Sequence, residues 1–203
     1  EVEGRIGAMT RRWGDDFADL LTLGMGADGA TRLLRRYADA FDEAYKQDFS
    51  AADAVRDVRA LEALAAAQTS SPGPVSPADP SGGEELVFDL YDPGAAAPAD
   101  RRLKIYRLGT PLTLARVLPL LSLLGLQVLD ESPYEVSLAD GPPTWIYDFG
   151  LRFPPGVDVA GVSSEHILAA LDDLWHARVD EDGFMALVVQ AGLTSKQVVI
   201  LRA

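Results

Sequence analysis

LKIYRLGTPLTLARVLPLLSLLGLQVLDESPYEV at residues 103–136, followed after a short turn by WIYDFGLRF at 145–153, decides the fold. Arg102 to Leu108 alternates and predicts a strand. Leu112 to Leu124 predicts a helix, in which Pro119 removes one backbone bond and should introduce a kink. Gln127 to Val136 predicts a second strand, interrupted near Pro133. Trp145, Tyr147, Phe149, Leu151 and Phe153 alternate with Ile146, Asp148, Gly150 and Arg152, which predicts a half-buried strand with one large aromatic face. Gly141-Pro142-Pro143 supplies the turn before it.

Working outward, Leu86 to Tyr91 predicts one more strand ahead of this stretch. Asp92 to Asp100 forms a loop rich in Pro, Gly and Ala. Beyond the stretch, Ser164 is positioned to cap a helix carrying Ile167, Leu168, Leu171, Leu174 and Trp175. Two short helical segments follow, Phe184 to Gln190 and Ser195 to Arg202, split by Gly192. The order from Leu86 is β-β-α-β-β-α. A ferredoxin-like unit is βαββαβ; moving its last strand to the front gives the order found here. The expectation is a permuted ferredoxin-like domain, four antiparallel strands with two helices on one face.

Residues 1–67 read as a helical module, which makes the chain α+β. Phe17, Leu20, Leu21 and Leu23 suit a first helix, punctuated by Gly24, Gly26 and Gly29. Leu33, Leu34, Tyr37, Phe41, Ala44 and Tyr45 recur at spacings of three and four and predict a second. Ser50 with Asp53 three residues on forms a short capping box for a third, whose face is Val55, Val58, Leu61 and Leu64. Arg56, Asp57, Arg59 and Glu62 read as solvated. Between module and sheet, TSSPGPVSPADPSGG (69–83) holds four prolines, three glycines and four serines around one sizeable apolar residue, Val75. Burial there does not offset the ordering entropy, so a linker over 68–84 is expected. This gives a division into 1–67, 68–84, 85–180 and a following helical segment, 181–203.

Composition narrows the function classes. The 203 residues are 48% hydrophobic, enough for a real core. The net charge is −13, from 31 acidic and 18 basic residues, which disfavours nucleic acid and anionic membrane surfaces as partners. No apolar run reaches the roughly 18 residues of a spanning helix, and no signal-peptide pattern is visible. There is no cysteine, which removes thiolate chemistry and fits a cytoplasmic location. The start at Glu1 and the apolar spacing still running at the last residues predict a piece of a longer protein.

No convergent catalytic constellation emerges. No G-x-G-x-x-G follows a strand, so the dinucleotide fingerprint is missing. His166 and His176 lie ten apart on one helix, too far to share a metal, and read as surface histidines. Asp130 and Glu131 point to opposite faces of a strand. Asp180, Glu181 and Asp182 lack the spacing of a calcium loop. Lys104 and Arg107 read as surface charges. The expectation is no catalytic, cofactor or metal residues in this chain.

Family resemblance adds a specific reading. LARV at 114–117 with Gly125, Leu126 and Val128 resembles the first helix and second strand of an ACT domain, a small regulatory module. In ACT domains that bind ligand, the preceding turn holds an amino acid. The corresponding positions here imply Gly109, Thr110 and Thr113 as effector-binding candidates, although Arg107, Leu108, Gly109, Thr110 and Pro111 replace the usual acidic residue and Pro-Gly pair. More widely, RRYADAFDEAYKQDFSAADAVRDVRALEAL (35–64), residues 102–136, WIYDFGL (145–151), EDGFMALVVQAGL (181–193) and VVILRA (198–203) resemble the large bacterial NAD-dependent glutamate dehydrogenases. Met185 stands where asparagine is expected, and Ser195 where tryptophan is. The resemblance implies a parent enzyme that oxidatively deaminates glutamate with NAD. It implies that this segment lies ahead of the catalytic domain, is non-catalytic, and has as partners the other domains and subunits of the parent, with an amino-acid effector as the alternative role.

Overall fold

The computed structural model describes the backbone of residues 2–70, 85–95 and 97–202, with side chains from Trp13 onward. The expected linker lies almost wholly outside the described residues. The helices of the first part are α1 (Val2–Tyr37), α2 (Glu43–Asp48) and α3 (Ala51–Ser70). The strands are β1 (Val87–Tyr91), β2 (Arg101–Leu108), β3 (Gln127–Val136) and β4 (Thr144–Arg152). Helix α4 (Leu114–Leu123) joins β2 to β3, and α5 (Ser164–Trp175) follows β4. A 3-10 turn at Gly183–Ala186, α6 (Leu187–Gln190) and α7 (Ser195–Arg202) complete the order. The antiparallel sheet runs β1-β2-β4-β3. That is the ferredoxin-like order with the last strand moved to the front, so the permuted reading holds.

Two compact units can be distinguished. One comprises residues 1–71, 106–110 and 133–146; the other comprises 72–105, 111–132 and 147–203.

In the first unit, α1 is two helical runs joined at Gly26, whose φ of 72° and ψ of 168° leave the helical region. Of the three punctuating glycines, only this one breaks the helix. The stripe from Leu33 to Tyr45 is likewise divided. α1 stops at Tyr37, and Asp42 caps α2 by accepting from the Tyr45 N–H at 2.8 Å. An N-cap aspartate competes with continued helix, which the apolar spacing alone does not reveal. The Ser50–Asp53 capping box forms as expected, with Ser50 N–H donating to Asp53 at 3.0 Å and Asp53 N–H to Ser50 Oγ at 3.3 Å. Aromatic rings knit the unit together. Trp13 stacks on Phe17 at 5.3 Å, Phe41 on Tyr45 at 4.5 Å, and Tyr134 meets Tyr45 edge-on at 5.5 Å.

Two acidic residues of α3 are not solvated. Asp57 is 1% exposed and accepts from the hydroxyls of Tyr45 and Tyr106, the latter at 2.9 Å. Glu62 is half-buried, paired with Arg36 at 2.6 Å and with the Tyr37 hydroxyl at 2.9 Å. Burial beside these carboxylates pushes both the Tyr37 and Tyr45 hydroxyls far above the ordinary tyrosine value, so each stays a donor.

In the second unit, α4 and α5 pack together and α5 packs on β1. Val117, Leu120, Leu121, Ile167, Leu171 and Leu174 are buried. The serine that caps α5 is Ser163, one residue earlier than expected, accepting from the His166 N–H at 3.3 Å. α4 continues through Pro119. β3 also runs unbroken through Pro133, because it is an edge strand, where a missing N–H need not cost a ladder bond.

β4 departs most from expectation. It lies between β2 and β3, and both of its faces are covered: Ile146, Asp148 and Gly150 are buried, as are Tyr147, Phe149 and Leu151. Alternating polarity in the sequence suggested one wet face, but an interior strand of a covered sheet has none. Trp145 is only half-buried, and Leu114, expected to face the aromatic side, is 38% exposed. Lys104 and Arg107 are buried at 3% and 5% exposure, not surface charges.

Phe149 has no exposed surface. Phe149→Ala should therefore cost about 3–5 kcal/mol in denaturant melts, the range for a buried aromatic truncated to alanine; a loss below about 1 kcal/mol would mean that this face is not core. Tyr106→Phe removes a donor to a buried carboxylate and should cost about 1.5–3 kcal/mol. An unchanged midpoint would show that Asp57 is satisfied without it.

Candidate functional site

The turn from β2 to α4 carries the three expected effector residues. Gly109 has φ +90°, a left-handed conformation that favours glycine, with open space where a Cβ would stand. Its N–H donates to the Pro143 carbonyl at 2.7 Å, and its own carbonyl accepts from the Trp145 indole at 3.3 Å. The exposed Thr110 accepts from Arg107 at 2.6 Å. Gly109 and Thr110 belong to the first compact unit and Thr113 to the second. Thr113 is exposed and takes the N-cap position of α4 without a side-chain cap bond. At the same end of α4, the Leu112 N–H is satisfied by the Tyr147 hydroxyl at 2.7 Å. In the first unit the exposed Thr110 hydroxyl is thus already engaged by a buried arginine.

A second polar group lies within the sheet. Arg102 on β2 donates to Asp148 on β4 at 2.7 Å and reaches Asp130 on β3 at 2.8 Å. The Tyr91 hydroxyl of β1 donates to Asp148 at 3.1 Å, and the Lys104 ammonium sits 5.6 Å from the Tyr91 ring centroid. Gly150 makes this possible. A Cβ there would meet an Asp130 carboxylate oxygen at 2.5 Å, so only glycine lets that carboxylate lie over the central strand. Burial pushes the Asp148 carboxyl up, while Arg102 and Lys104 pull it down. Desolvation works against the Arg102 charge, but its bonds to Asp130 and Asp148 outweigh that and hold the guanidinium firmly protonated. All four strands contribute to this network, and its chemistry is charge neutralisation inside a sheet. The sequence held one clue to it: Asp148 falls between Tyr147 and Phe149 in the most aromatic strand.

A third feature is a cleft of about 440 Å³ beside α4 and the end of α5, lined by Arg116, Pro119, Leu120, Leu174, Trp175 and Glu181 among others. The Arg116 guanidinium lies 3.6 Å from the Trp175 ring centroid, and it also donates to the Trp175 carbonyl at 3.3 Å. Residue-by-residue reading missed this pair because the two side chains are far apart in sequence.

The remaining candidates are separate from one another. His166 Nδ1 is 3.0 Å from the Gly192 carbonyl, and His176 Nδ1 is 2.9 Å from the Asp172 carbonyl. Asp130 is exposed and pairs with Arg102; the carboxyl of half-buried Glu131 is pushed up by burial. Asp180 and Asp182 both pair with Arg202 at 2.7 Å. Among the described residues no group of His, Asp and Glu is placed to hold a metal ion, and no helix is long and apolar enough to cross a membrane.

Comparison with known proteins agrees with this architecture. Residues 85–163 match the family model of the glutamate dehydrogenase ACT3 domain, and residues 20–64 match that of glutamate dehydrogenase helical motif 2. The NAD-specific glutamate dehydrogenase of Halomonas elongata is 30% identical over 203 residues. That of Mycobacterium tuberculosis is 32% identical over 208 aligned positions, and that of Pseudomonas aeruginosa 31% over 203. Each alignment covers the whole of this chain and 12% of the relative, so the chain spans about an eighth of their length. With its helices, its permuted four-stranded sheet and these matches in chain order, the chain belongs to the glutamate dehydrogenase family, of which it carries the helical motif 2 and ACT3 segments.

Proposed function

We propose that this chain is a non-catalytic regulatory and assembly segment of a large, cytoplasmic, NAD-dependent glutamate dehydrogenase. The parent reaction is oxidative deamination of L-glutamate to 2-oxoglutarate with NAD, and NAD binding and chemistry belong to other parts of the parent. The observation that carries the reading is the use of the buried charges. Buried Asp148 is held by Arg102, which also reaches the exposed Asp130, and buried Asp57 is held by tyrosine hydroxyls. Groups spent on internal pairs are poor candidates for acid–base or hydride chemistry, which needs a poised group facing substrate. The match to ACT3 and helical motif 2 supports the same reading. In it, residues 1–67 form the helical module, 85–180 the ACT-like domain and 181–203 the start of a further helical segment, and the partners are the parent's other domains and subunits.

A second reading is an amino-acid-sensing module at Gly109, Thr110 and Thr113. It is favoured by the N-terminus of α4, where Thr113 makes no side-chain cap bond, and by the open space around Gly109.

The purified chain mixed with L-glutamate and NAD should form no NADH above the protein-free blank. Turnover that follows the protein through successive columns would contradict the non-catalytic assignment.

A further inference from the structure

We propose that the outer face of α4 is an interface between two copies of this chain. This rests on the assembly reading above and gives it a surface and an occupant, a second subunit. Val117, Leu120 and Leu121 turn inward and are buried. The outward positions Leu114, Ala115, Leu118, Pro119 and Ser122 are all exposed, and none carries a charge. Leu114 and Leu118 are 38% and 39% exposed, on a helix without a single acidic residue. Charge decides the occupant. Each copy carries a net charge of −13, so two copies repel over most of their surface. They approach at least cost where no carboxylate enters the contact, and the core of an interface is where charge is depleted. A basic partner, by contrast, would find no carboxylate on α4 to pair with. The other exposed apolar group, Ile200 and Leu201 on α7, adjoins Arg202, which holds Asp180 and Asp182. Two copies meeting there would bring those carboxylates together.

The face is also self-complementary. Leu114, Leu118 and Ser122 form one ridge at spacings of four, and Ala115 and Pro119 form the next, with a groove between them. A two-fold axis between Leu118 and Pro119 runs the two helices antiparallel. Leu118 then meets the partner's Pro119, and Ala115 meets the partner's Ser122. Both Ala115 and Ser122 are small and let the backbones come close. Pro119 has no N–H to give the Ala115 carbonyl, and the partner's Ser122 hydroxyl can donate there instead. The helix has 10 residues and is about 15 Å long, so the contact is small and the dimer of the chain alone is weak.

The test is sedimentation velocity of the chain over about a hundredfold range of concentration. The expected result is a shift from monomer toward dimer as concentration rises, strengthened by added salt, which screens the repulsion between copies. Leu118→Glu puts a carboxylate at the axis and should weaken the dimer about tenfold or more, whereas Ile200→Glu should leave it unchanged. Both positions are exposed, so both variants should keep the parent's urea midpoint. The chain has no cysteine, so introduced thiols report on geometry without a background. Ala115→Cys and Ser122→Cys, mixed and oxidised with glutathione disulfide, should cross-link position 115 to position 122 in preference to either symmetric pair. A chain that stays monomeric throughout overturns the proposal. So does a dimer that survives Leu118→Glu; one lost in Ile200→Glu instead places the contact on α7. Symmetric cross-links forming as readily as the 115–122 pair overturn the antiparallel arrangement. The non-catalytic reading fails separately, through NADH formation by the chain alone.

Discussion

A carboxylate at the centre of the sheet constrains the rest of the second compact unit. Asp148 sits on an interior strand and is 3% exposed. An ionised carboxylate in such a place needs both a counter-charge and hydrogen bonds. β2 supplies Arg102 and Lys104, β1 supplies the Tyr91 hydroxyl, and β3 sends Asp130 across β4 to the same arginine. That crossing requires Gly150. The strand order β1-β2-β4-β3 brings these groups within reach of one another. A shift of β4 by one residue would put Asp148 among the apolar side chains of its other face and break every one of these contacts.

The first compact unit obeys the same rule with different chemistry. Asp57 lies on the inner side of α3 among Val58, Leu61 and Leu64, and its partners are hydroxyls. One comes from Tyr45 on α2, the other from Tyr106 near the end of β2. Tyr134 on β3 repeats the pattern by donating to Asp48 at 2.7 Å. Carboxylate–tyrosine bonds fix the angles of helices and strands that apolar packing alone leaves free to slide. In both units the buried carboxylates are held by internal partners, an arrangement that supports the proposed regulatory or assembly role.

Much of this was legible in the sequence, and the rest was hidden for physical reasons. The strand and helix order showed in the switch of period after Leu86, and the permuted topology followed from it. The capping box at Ser50 was visible because its two residues are three apart. Asp57, Lys104 and Arg107 were misread as solvated because periodicity assigns a charge to water by default, while the partners that permit burial come from distant segments. The same holds for the cleft: Arg116 and Trp175 are 59 positions apart, and no local pattern announces their stacking. The division of the Leu33–Tyr45 stripe at Asp42 was missed because three- and four-residue spacing survives a short break between helices. Of the turn residues inferred from family resemblance, Gly109 has a left-handed φ of +90°, and Thr110 is tied to Arg107.

The account stands on the buried charges being structural and mutually satisfied. A double-mutant cycle between Arg102→Met and Asp148→Asn, followed by urea denaturation, measures this directly. The account predicts a coupling energy of about 2 kcal/mol or more, as for a buried, hydrogen-bonded pair. A coupling below about 0.5 kcal/mol, with both single variants close to the parent in stability, would contradict it: the charges would then be surface-like.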